Sequence, residues 1–262
     1  MPDYIDTLVN EMIDDYGLTQ LHAEFSRLLR LLEEMQPRTL VEIGTASGES
    51  SWAFRQIVPA DCLVITVDIK PVVRAGPFPT ARNGFGGVHI APRIVTPSGP
   101  IHRILADSHQ SSTRTLIEAV MAKHGRTAVD ALFIDGDHSE EGVRADFALY
   151  APLVREGGVV AFHDIVDSPY NEAVGHGVHR LWRDLVLDAA WDTREIKDRS
   201  DRQWGDRPVA QLMGIGVAIK KEPAEPLAAA GGGVRWLAYQ PVFAARMAAH
   251  LLGRAYQGSG GS

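Results

Sequence analysis

The chain of 262 residues has little of what exported and membrane-spanning proteins need. Its single cysteine, Cys62, cannot form an internal disulfide, and its place in the apolar run 62–67 indicates a buried, unreactive thiol in a cytoplasmic protein. No run approaches the roughly 18 apolar residues of a membrane span. The acidic, amphipathic first residues also lack the basic and then apolar order of a signal peptide.

Positive charge is also scarce. The 26 Lys and Arg residues are outnumbered by 33 Asp and Glu, the formal net charge is -7, and no long basic cluster occurs. A protein that binds phosphate backbones concentrates basic residues, so we expect no nucleic-acid partner. A small acidic or neutral substrate remains compatible with this composition, because local fields need not follow the net charge.

The most informative stretch covers residues 131–164. Two short apolar runs, 131–134 and 159–162, have the length of buried strands. Between them, residues 139–154 have the apolar spacing of a helix, and two glycines at 157–158 are predicted to end it. Ligands of open α/β sheets bind outside the carboxyl ends of the strands. The polar residues that follow the two strands should therefore share one crevice: Asp135, Asp137, His138, His163 and Asp164.

Three more strands are predicted upstream. Residues 39–43 lead into the turn from Gly44 to Gly48, and apolar spacing beyond the turn predicts a helix. Such a turn brings backbone N–H groups and a helix N-terminus towards a ligand. The run 63–67 ends at Asp68, and the run 101–105 is followed by Asp107 and Ser108.

The other segments are predicted to surround this sheet. Residues 1–36 carry two helical patterns, and they should form a helical cap that packs on the sheet or covers the crevice of a main domain of residues 37–222. The segment 71–100 is rich in proline and glycine, and it is either a lid beside the crevice or a passive surface insertion. Residues 223–257 would form a linker and a C-terminal helix, which could support a homodimer. The closing residues 258–262 have the composition of a linker or tag.

Taken together, the strand-end residues resemble class I S-adenosylmethionine-dependent methyltransferases. The chain reads Val41-Glu42-Ile43-Gly44-x-x-x-Gly48, which is the first motif of that family. The resemblance implies an α/β fold, a doubly wound, Rossmann-like, seven-stranded sheet with an antiparallel last strand. It also implies that these residues bind S-adenosylmethionine: Glu42, Gly44, Thr45, Ser47, Gly48, Ser50, Asp68, Asp107, Ser108 and Asp135. The third glycine of nicotinamide-binding turns is missing, which disfavours an oxidoreductase.

A narrower resemblance concerns the segments FIDGDHS, REGGVVAFHDIV and MGIGVAIK. They are similar to metal-dependent O-methyltransferases of the macrocin and cephalosporin-hydroxylase-like group, and the similarity covers most of residues 39–220. It implies a magnesium ion held by Asp135 and Asp164, with His163 as a third ligand. Related sequences often carry a carboxylate at the position of His163. An imidazole there would favour manganese or another transition ion, and a buried histidine bonded to backbone is the alternative.

The resemblance further implies that the methyl acceptor is a hydroxyl of a sugar, glycoside or saccharide precursor. A hydroxyl needs a base near neutrality and an electrophilic partner, so His138 is the candidate base beside Asp135. Alternatively, His138 only caps the next helix, with Asp137 as a possible orienting partner. Weaker candidates could line the acceptor pocket: Tyr170, Asn171, His176, His179 and Trp204. A catechol-like acceptor, or a scaffold that binds the cofactor without catalysis, stays open.

Overall fold

The computed structural model describes residues 3–70, 93–96, 99–200, 203–204, 207–208 and 212–222, all within one compact unit, Met1–Pro223. The helices are α1 (Tyr4–Asp14), α2 (His22–Met35), α3 (Glu49–Ile57), α4 (Ser111–Lys123), α5 (Glu140–Tyr150), α6 (Pro169–Ala173) and α7 (Val178–Val186). The strands are β1 (Thr39–Ile43), β2 (Leu63–Asp68), β3 (Arg93–Thr96), β4 (Gly99–Leu105), β5 (Val129–Ile134), β6 (Val154–His163), β7 (Trp191–Ile196), β8 (Gln203–Trp204), β9 (Arg207–Pro208) and β10 (Ile215–Lys220).

The main sheet has the strand order β3-β4-β2-β1-β5-β6-β10-β7. Strands β4, β2, β1, β5 and β6 are parallel neighbours, whereas β10 runs antiparallel to both β6 and β7. The predicted doubly wound sheet with an antiparallel last strand is thereby confirmed. Strand β3 is an addition that comes from the segment predicted as an insertion, and it pairs antiparallel with β4.

The carboxyl ends of β1, β5 and β6 lie together at one edge of the sheet. All five residues of β1 are buried, as expected for a central parallel strand covered on both faces. The register places Ile43 beside Ile134, and Ile134 beside Phe162. The residues that follow these three strands therefore start from the same level of the sheet.

The two N-terminal helices pack into the same core as the strands. Helix α1 buries one apolar face, which includes Val9 and Met12, and α2 buries Phe25, Leu28 and Leu29. These side chains belong to one cluster with residues of β1, β5 and β10. The predicted helical patterns before the first strand are thus confirmed as helices that pack on the sheet.

The helix predicted over 139–154 is shorter than expected. Helix α5 ends at Tyr150, a 3-10 turn covers Ala151–Leu153, and β6 begins at Val154. Pro152 explains the difference, because its ring removes an N–H donor and clashes with the preceding turn of an α-helix. The two glycines at 157–158 consequently lie inside the span of β6 and do not end the helix.

Several predicted segments lie outside the described residues: most of the insertion (71–92), the linker with the C-terminal helix, and the closing 258–262. Within the part of the chain that is described, no helix is both long and apolar enough to cross a membrane.

Candidate active site

Four predicted site residues meet beyond the ends of β5 and β6. Oδ1 of Asp135 lies 3.0 Å from Nε2 of His138 and 3.0 Å from Nδ1 of His163. On the other side of His138, its Nδ1 lies 2.8 Å from Oδ2 of Asp164. The imidazole of His138 is thus held between two carboxylates. Of the five residues that the sequence predicted to share one crevice, these four contact one another here.

This arrangement fixes the charges of the cluster. Burial acts to lower the pKa of His138, but its hydrogen bonds to Asp135 and Asp164 outweigh burial and raise the pKa to about 10. Likewise, Asp135 raises the pKa of buried His163 to about 9. Burial opposes ionisation of Asp135, yet His163 and His138 lower its pKa to about 2. At neutral pH the cluster therefore holds imidazolium groups against ionised carboxylates.

Asp164 occupies an unusual backbone position. Its φ of 62° lies in the left-handed region, which Asp and Asn adopt more readily than other non-glycine residues. Its side chain is 8% exposed, and despite this burial the hydrogen bond from His138 holds the pKa of its carboxyl far below the usual range. Oδ2 of Asp164 also lies 3.2 Å from Nδ1 of His176. The site therefore contains a third histidine.

A short turn positions His176. Its backbone N–H donates to the carbonyl of Asn171 (2.8 Å), and the N–H of Gly177 donates to the carbonyl of His138 (2.7 Å). A Cβ on Gly177 would come within 2.6 Å of the backbone of Glu140, so only glycine allows the turn to pack there. The ring of His176 consequently rests against that of His138, with centroids 4.7 Å apart.

The donor atoms suit a divalent transition ion better than magnesium. Among the described residues, Asp135, His138 and His163 offer ligand atoms within 4.8 Å of one another, and so do His138, Asp164 and His176. His138 belongs to both groups, and neither group contains all three predicted ligands. Imidazole nitrogens favour manganese, iron, cobalt or zinc, whereas magnesium prefers oxygen. The residues therefore fit a metal, with His138 between the two carboxylates predicted to hold it.

Sequence reasoning missed one contact to this cluster. Gln20, just before α2, is 6% exposed, and its Nε2 donates to Oδ2 of Asp135 at 2.8 Å. No periodicity or motif marks Gln20, because only the tertiary packing of α2 brings it to the crevice. His176 carried a weak signal, since it lies between two glycines after the fifth predicted strand.

The glycine turn after β1 lies directly against this cluster of acids and histidines. Gly44 has a φ of +93°, and a Cβ there would lie 2.1 Å from the carbonyl oxygen of Asp135. The N–H of Gly44 donates to the carbonyl of Val67, and the N–H of Asp135 donates to the carbonyl of Ile43. Gly48 also has a left-handed backbone, and it is the N-cap of α3. The predicted cofactor turn and the predicted metal crevice are therefore one continuous structure.

Glu42 lies beneath this turn and is fully buried. The hydroxyls of Ser50 and Ser51 donate to its carboxyl, and that of Thr66 donates at 2.8 Å. Burial nevertheless raises the pKa of Glu42 to about 7. The hydroxyl of Thr45 in turn bonds that of Thr66. Glu42, Thr45 and Ser50, all predicted to serve the cofactor, thus order the turn from inside.

The acids after β2 and β4 face the same edge. Oδ2 of Asp68 accepts the N–H of Ala46 within the glycine turn (2.8 Å), and Oδ1 accepts the N–H of Lys70 (2.7 Å). Asp107 accepts the N–H of His109 at 2.9 Å, and the carbonyl of the adjacent Ser108 accepts the hydroxyl of Tyr150. A carboxylate oxygen can accept a second donor, so these acids retain capacity for ribose or adenine groups. Half-buried Ser47 completes the predicted set.

Other weaker candidates have structural partners. Asn171 is buried and donates to the carbonyls of Val166 and Leu212, so it joins two loops. His179 is 2% exposed, and its Nε2 lies 3.3 Å from Oε1 of Glu172, away from the cluster. Oδ1 of Asp137 accepts the N–H of Ser139, whose side chain caps α5. The cap of that helix is thus Ser139, not His138.

Comparisons with known proteins agree with this fold. Residues 41–165 match a family model described as a methyltransferase domain. Over 85% of its length, the chain superimposes on 92% of the O-methyltransferase TomG of Streptomyces achromogenes, which is involved in tomaymycin synthesis and was solved with S-adenosylmethionine (SAM). The TM-score is 0.52 and the identity 17%. For the O-methyltransferase of Bacillus cereus in complex with SAH, the TM-score is 0.53 and the sequence identity is 15%. That match covers 84% of this chain and 92% of the other. These likenesses show that the chain has the fold of these two proteins.

Two relatives extend the comparison at the level of sequence. The uncharacterized protein R132 of Acanthamoeba polyphaga mimivirus is 39% identical over 171 residues, which are 65% of this chain and 71% of that protein. The uncharacterized protein y4gI of Sinorhizobium fredii is 28% identical over 173 residues, 66% of this chain, but the match spans only 17% of that longer protein. The chain therefore belongs to one family with R132, and its residues 41–165 match the methyltransferase domain that its sequence motifs predicted.

Proposed function

We propose that this chain transfers the methyl group of S-adenosylmethionine to a hydroxyl oxygen of a sugar, glycoside or saccharide precursor, and that the transfer depends on a divalent metal ion. One observation carries the proposal. A cluster of Asp135, His138, His163, Asp164 and His176 lies directly against the glycine turn of a methyltransferase fold. The fold supports binding of S-adenosylmethionine. The cluster supplies the groups that a hydroxyl, a poor nucleophile, needs in order to react.

The chain's own residues would position both reactants. Gly44 and Gly48 leave space for the cofactor's amino acid and ribose, and Asp68 would accept the ribose hydroxyls. The acceptor oxygen would lie beside the cluster, in line with the sulfonium methyl group. The oxygen–carbon bond forms as the carbon–sulfur bond breaks, which gives S-adenosylhomocysteine, an ether and a proton.

The proton requires a base, and His138 is the proposed one. In the arrangement described here, both of its nitrogens face carboxylates, so the ring keeps its second proton at neutral pH. A bound divalent ion would polarise the acceptor oxygen and compensate the charges of Asp135 and Asp164, which would allow His138 to release that proton. The proposed base therefore depends on the same two carboxylates that would hold the ion.

The test is methyl transfer from labelled S-adenosylmethionine to a panel of sugars, glycosides and catechols, each with magnesium, with manganese and with a chelator. We expect transfer to a saccharide that manganese supports and the chelator stops. Transfer to catechols alone would replace the proposed acceptor class. Tight cofactor binding without transfer to any acceptor would favour a non-catalytic scaffold, and transfer unaffected by the chelator would overturn the metal dependence.

A further inference from the structure

A groove lies between α2 and the end of β7, apart from the cluster of acids and histidines around His138. It has a volume of about 480 Å³. Its lining comes from two segments: Ala23 and Arg27 on α2, and Glu195, Lys197, Asp198, Arg199 and Ser200 around the end of β7. Ile215 of β10 is paired with both His163 and Ile196, so β7 ends level with β6. With strands about 4.8 Å apart, the groove begins about 10 Å from His163.

The acidic side chains of the groove already have donors. Glu195 accepts the indole N–H of Trp182 at 2.8 Å, and it forms an ion pair with Lys197 at 2.9 Å. Buried Asp198 accepts the backbone N–H of Ser200 at 2.9 Å. Both acids keep their negative charge, and Glu195 also interacts electrostatically with Arg199. The lining nevertheless has more cations than anions, since Arg27, Lys197 and Arg199 face Glu195 and Asp198.

Two arginines of the groove form no close ion pair with the described residues. Arg27 and Arg199 are both exposed, and neither forms an ion pair with any residue in the described part of the chain. They approach the groove from different elements, one from α2 and one from the segment after β7. In a protein with a net charge of -7, this pair makes a local positive site.

Gln20 and the helix α2 that follows it link the groove to the cluster of acids and histidines. Just before the helix, Gln20 donates to Asp135. One turn later, the carboxyl of Glu24 accepts the N–H of Asp198 at 2.7 Å and that of Gly214 at 2.9 Å. Arg27 follows within the helix, three residues after Glu24. Gln20 and α2 together therefore contact the cluster, bind the wall of the groove and supply a cation.

We propose that this groove binds an anionic group of the methyl acceptor, a phosphate or a carboxylate, about 10 Å from the hydroxyl that is methylated. Guanidinium groups bind both anions through paired N–H donors, which makes arginine suited to the task. That the anion belongs to the acceptor rests on the proposed function. The binding of an anion by Arg27 and Arg199 is independent of the proposed function.

Direct calorimetry tests the groove without any methyl transfer. The probes are glucose 1-phosphate, glucuronate and the neutral methyl glucoside, titrated at low salt into the full chain and into the double variant Arg27→Gln/Arg199→Gln. The matched control is Arg38→Gln, an exposed arginine that precedes β1 at the opposite edge of the sheet. We expect the double variant to bind at least one anion about tenfold more weakly, the control to match the parent chain, and the neutral glycoside to be unaffected.

Each outcome decides a point. Loss of glucose 1-phosphate binding alone would identify phosphate as the anion, and loss of glucuronate binding alone would identify carboxylate. Equal anion binding by the parent chain and the double variant would contradict anion binding by the groove. An equal loss of binding in Arg38→Gln would contradict it as well. Anion binding that needs both arginines, in a protein that methylates nothing, would leave the groove standing while the proposed function fails. A double variant that methylates charged and neutral acceptors as the parent does would remove the link to the acceptor.

Discussion

Nδ1 of His138 lies 2.8 Å from Oδ2 of Asp164, a residue that adopts a left-handed backbone at the end of β6. Asn tolerates this backbone as Asp does, so Asp164→Asn removes the charge without straining the chain. We expect the pKa of His138 to fall from about 10, and turnover to drop roughly 10²-fold or more. Affinity for S-adenosylhomocysteine should change little. Titration of the His138 ring by NMR, calorimetry and a rate assay measure the three quantities.

The control for this substitution is Asp167→Asn, at an exposed carboxylate near Arg183. It should leave the rate and the pKa of His138 unchanged. If Asp164→Asn loses cofactor affinity in proportion to activity, the role of Asp164 is structural.

Gly44 and Gly17 have similar backbone angles but different surroundings. A Cβ on Gly44 (φ +93°) would lie 2.1 Å from the carbonyl of Asp135, whereas one on Gly17 (φ +81°) meets nothing within 4 Å. Gly17→Ala should cost only the left-handed strain, about 1 kcal/mol, and Gly44→Ala should cost several times more because backbone must move. Urea unfolding of both variants measures the difference. Equal losses would contradict the close approach of the turn to Asp135.

Glu42 predicts a specific dependence of stability on pH. Burial raises its pKa to about 7 from the ordinary 4.5, so the folded protein binds this proton more tightly than the unfolded chain. The contribution of Glu42 to the free energy of unfolding is therefore fully present below about pH 4.5. As the pH rises from 4.5 towards 7, this contribution falls by up to about 3 kcal/mol. Glu42→Gln, which stays neutral, should lose less stability between pH 5 and 7.

Chemical denaturation of the two proteins across this range gives the comparison. Asp61→Asn, at a carboxylate that is 73% exposed, should follow the parent curve. Parallel curves for the parent and Glu42→Gln would show that Glu42 is ionised throughout.

Cys62 should be inert in the folded protein. It is 3% exposed, and burial raises the pKa of its thiol to about 12. Since the thiolate is the reactive form, a disulfide reagent at pH 8 should label the native chain only as it unfolds and should label it fully in denaturant. Rapid, complete labelling of native protein would contradict the buried position.

The elements and most of the cluster could be predicted because their signals are local. Short apolar runs followed by a glycine turn, an acid or a histidine identified β1, β2, β5 and the core of β6, and their parallel order brought Asp135 and Asp164 together. The distinct roles of Thr45 and Ser50 could not be predicted. Whether a hydroxyl beside a glycine turn faces a ligand or a buried carboxyl depends on packing beneath the turn.

The contacts that sequence reasoning missed are all tertiary. Strand β3 pairs antiparallel with β4, and residues 93–96 alone do not reveal this partner. Likewise His138 was predicted as a base from its ordinary pKa near 6.5, and only its position between two carboxylates shows that it carries a proton as it stands. A residue's chemistry is set by neighbours that its own segment does not reveal.

The hydrogen bond from Gln20 to Asp135 crosses the boundary of the shared family segment, since residue 20 precedes the matched 41–165. The matched segment alone therefore does not contain all the contacts of Asp135. A chimaera that inherits residues 41–165 but receives a foreign leading helix would keep every family motif, yet Oδ2 of Asp135 would lack its amide donor. Exchange of the first helices between relatives should consequently alter the chemistry of the site, even though no recognised motif changes.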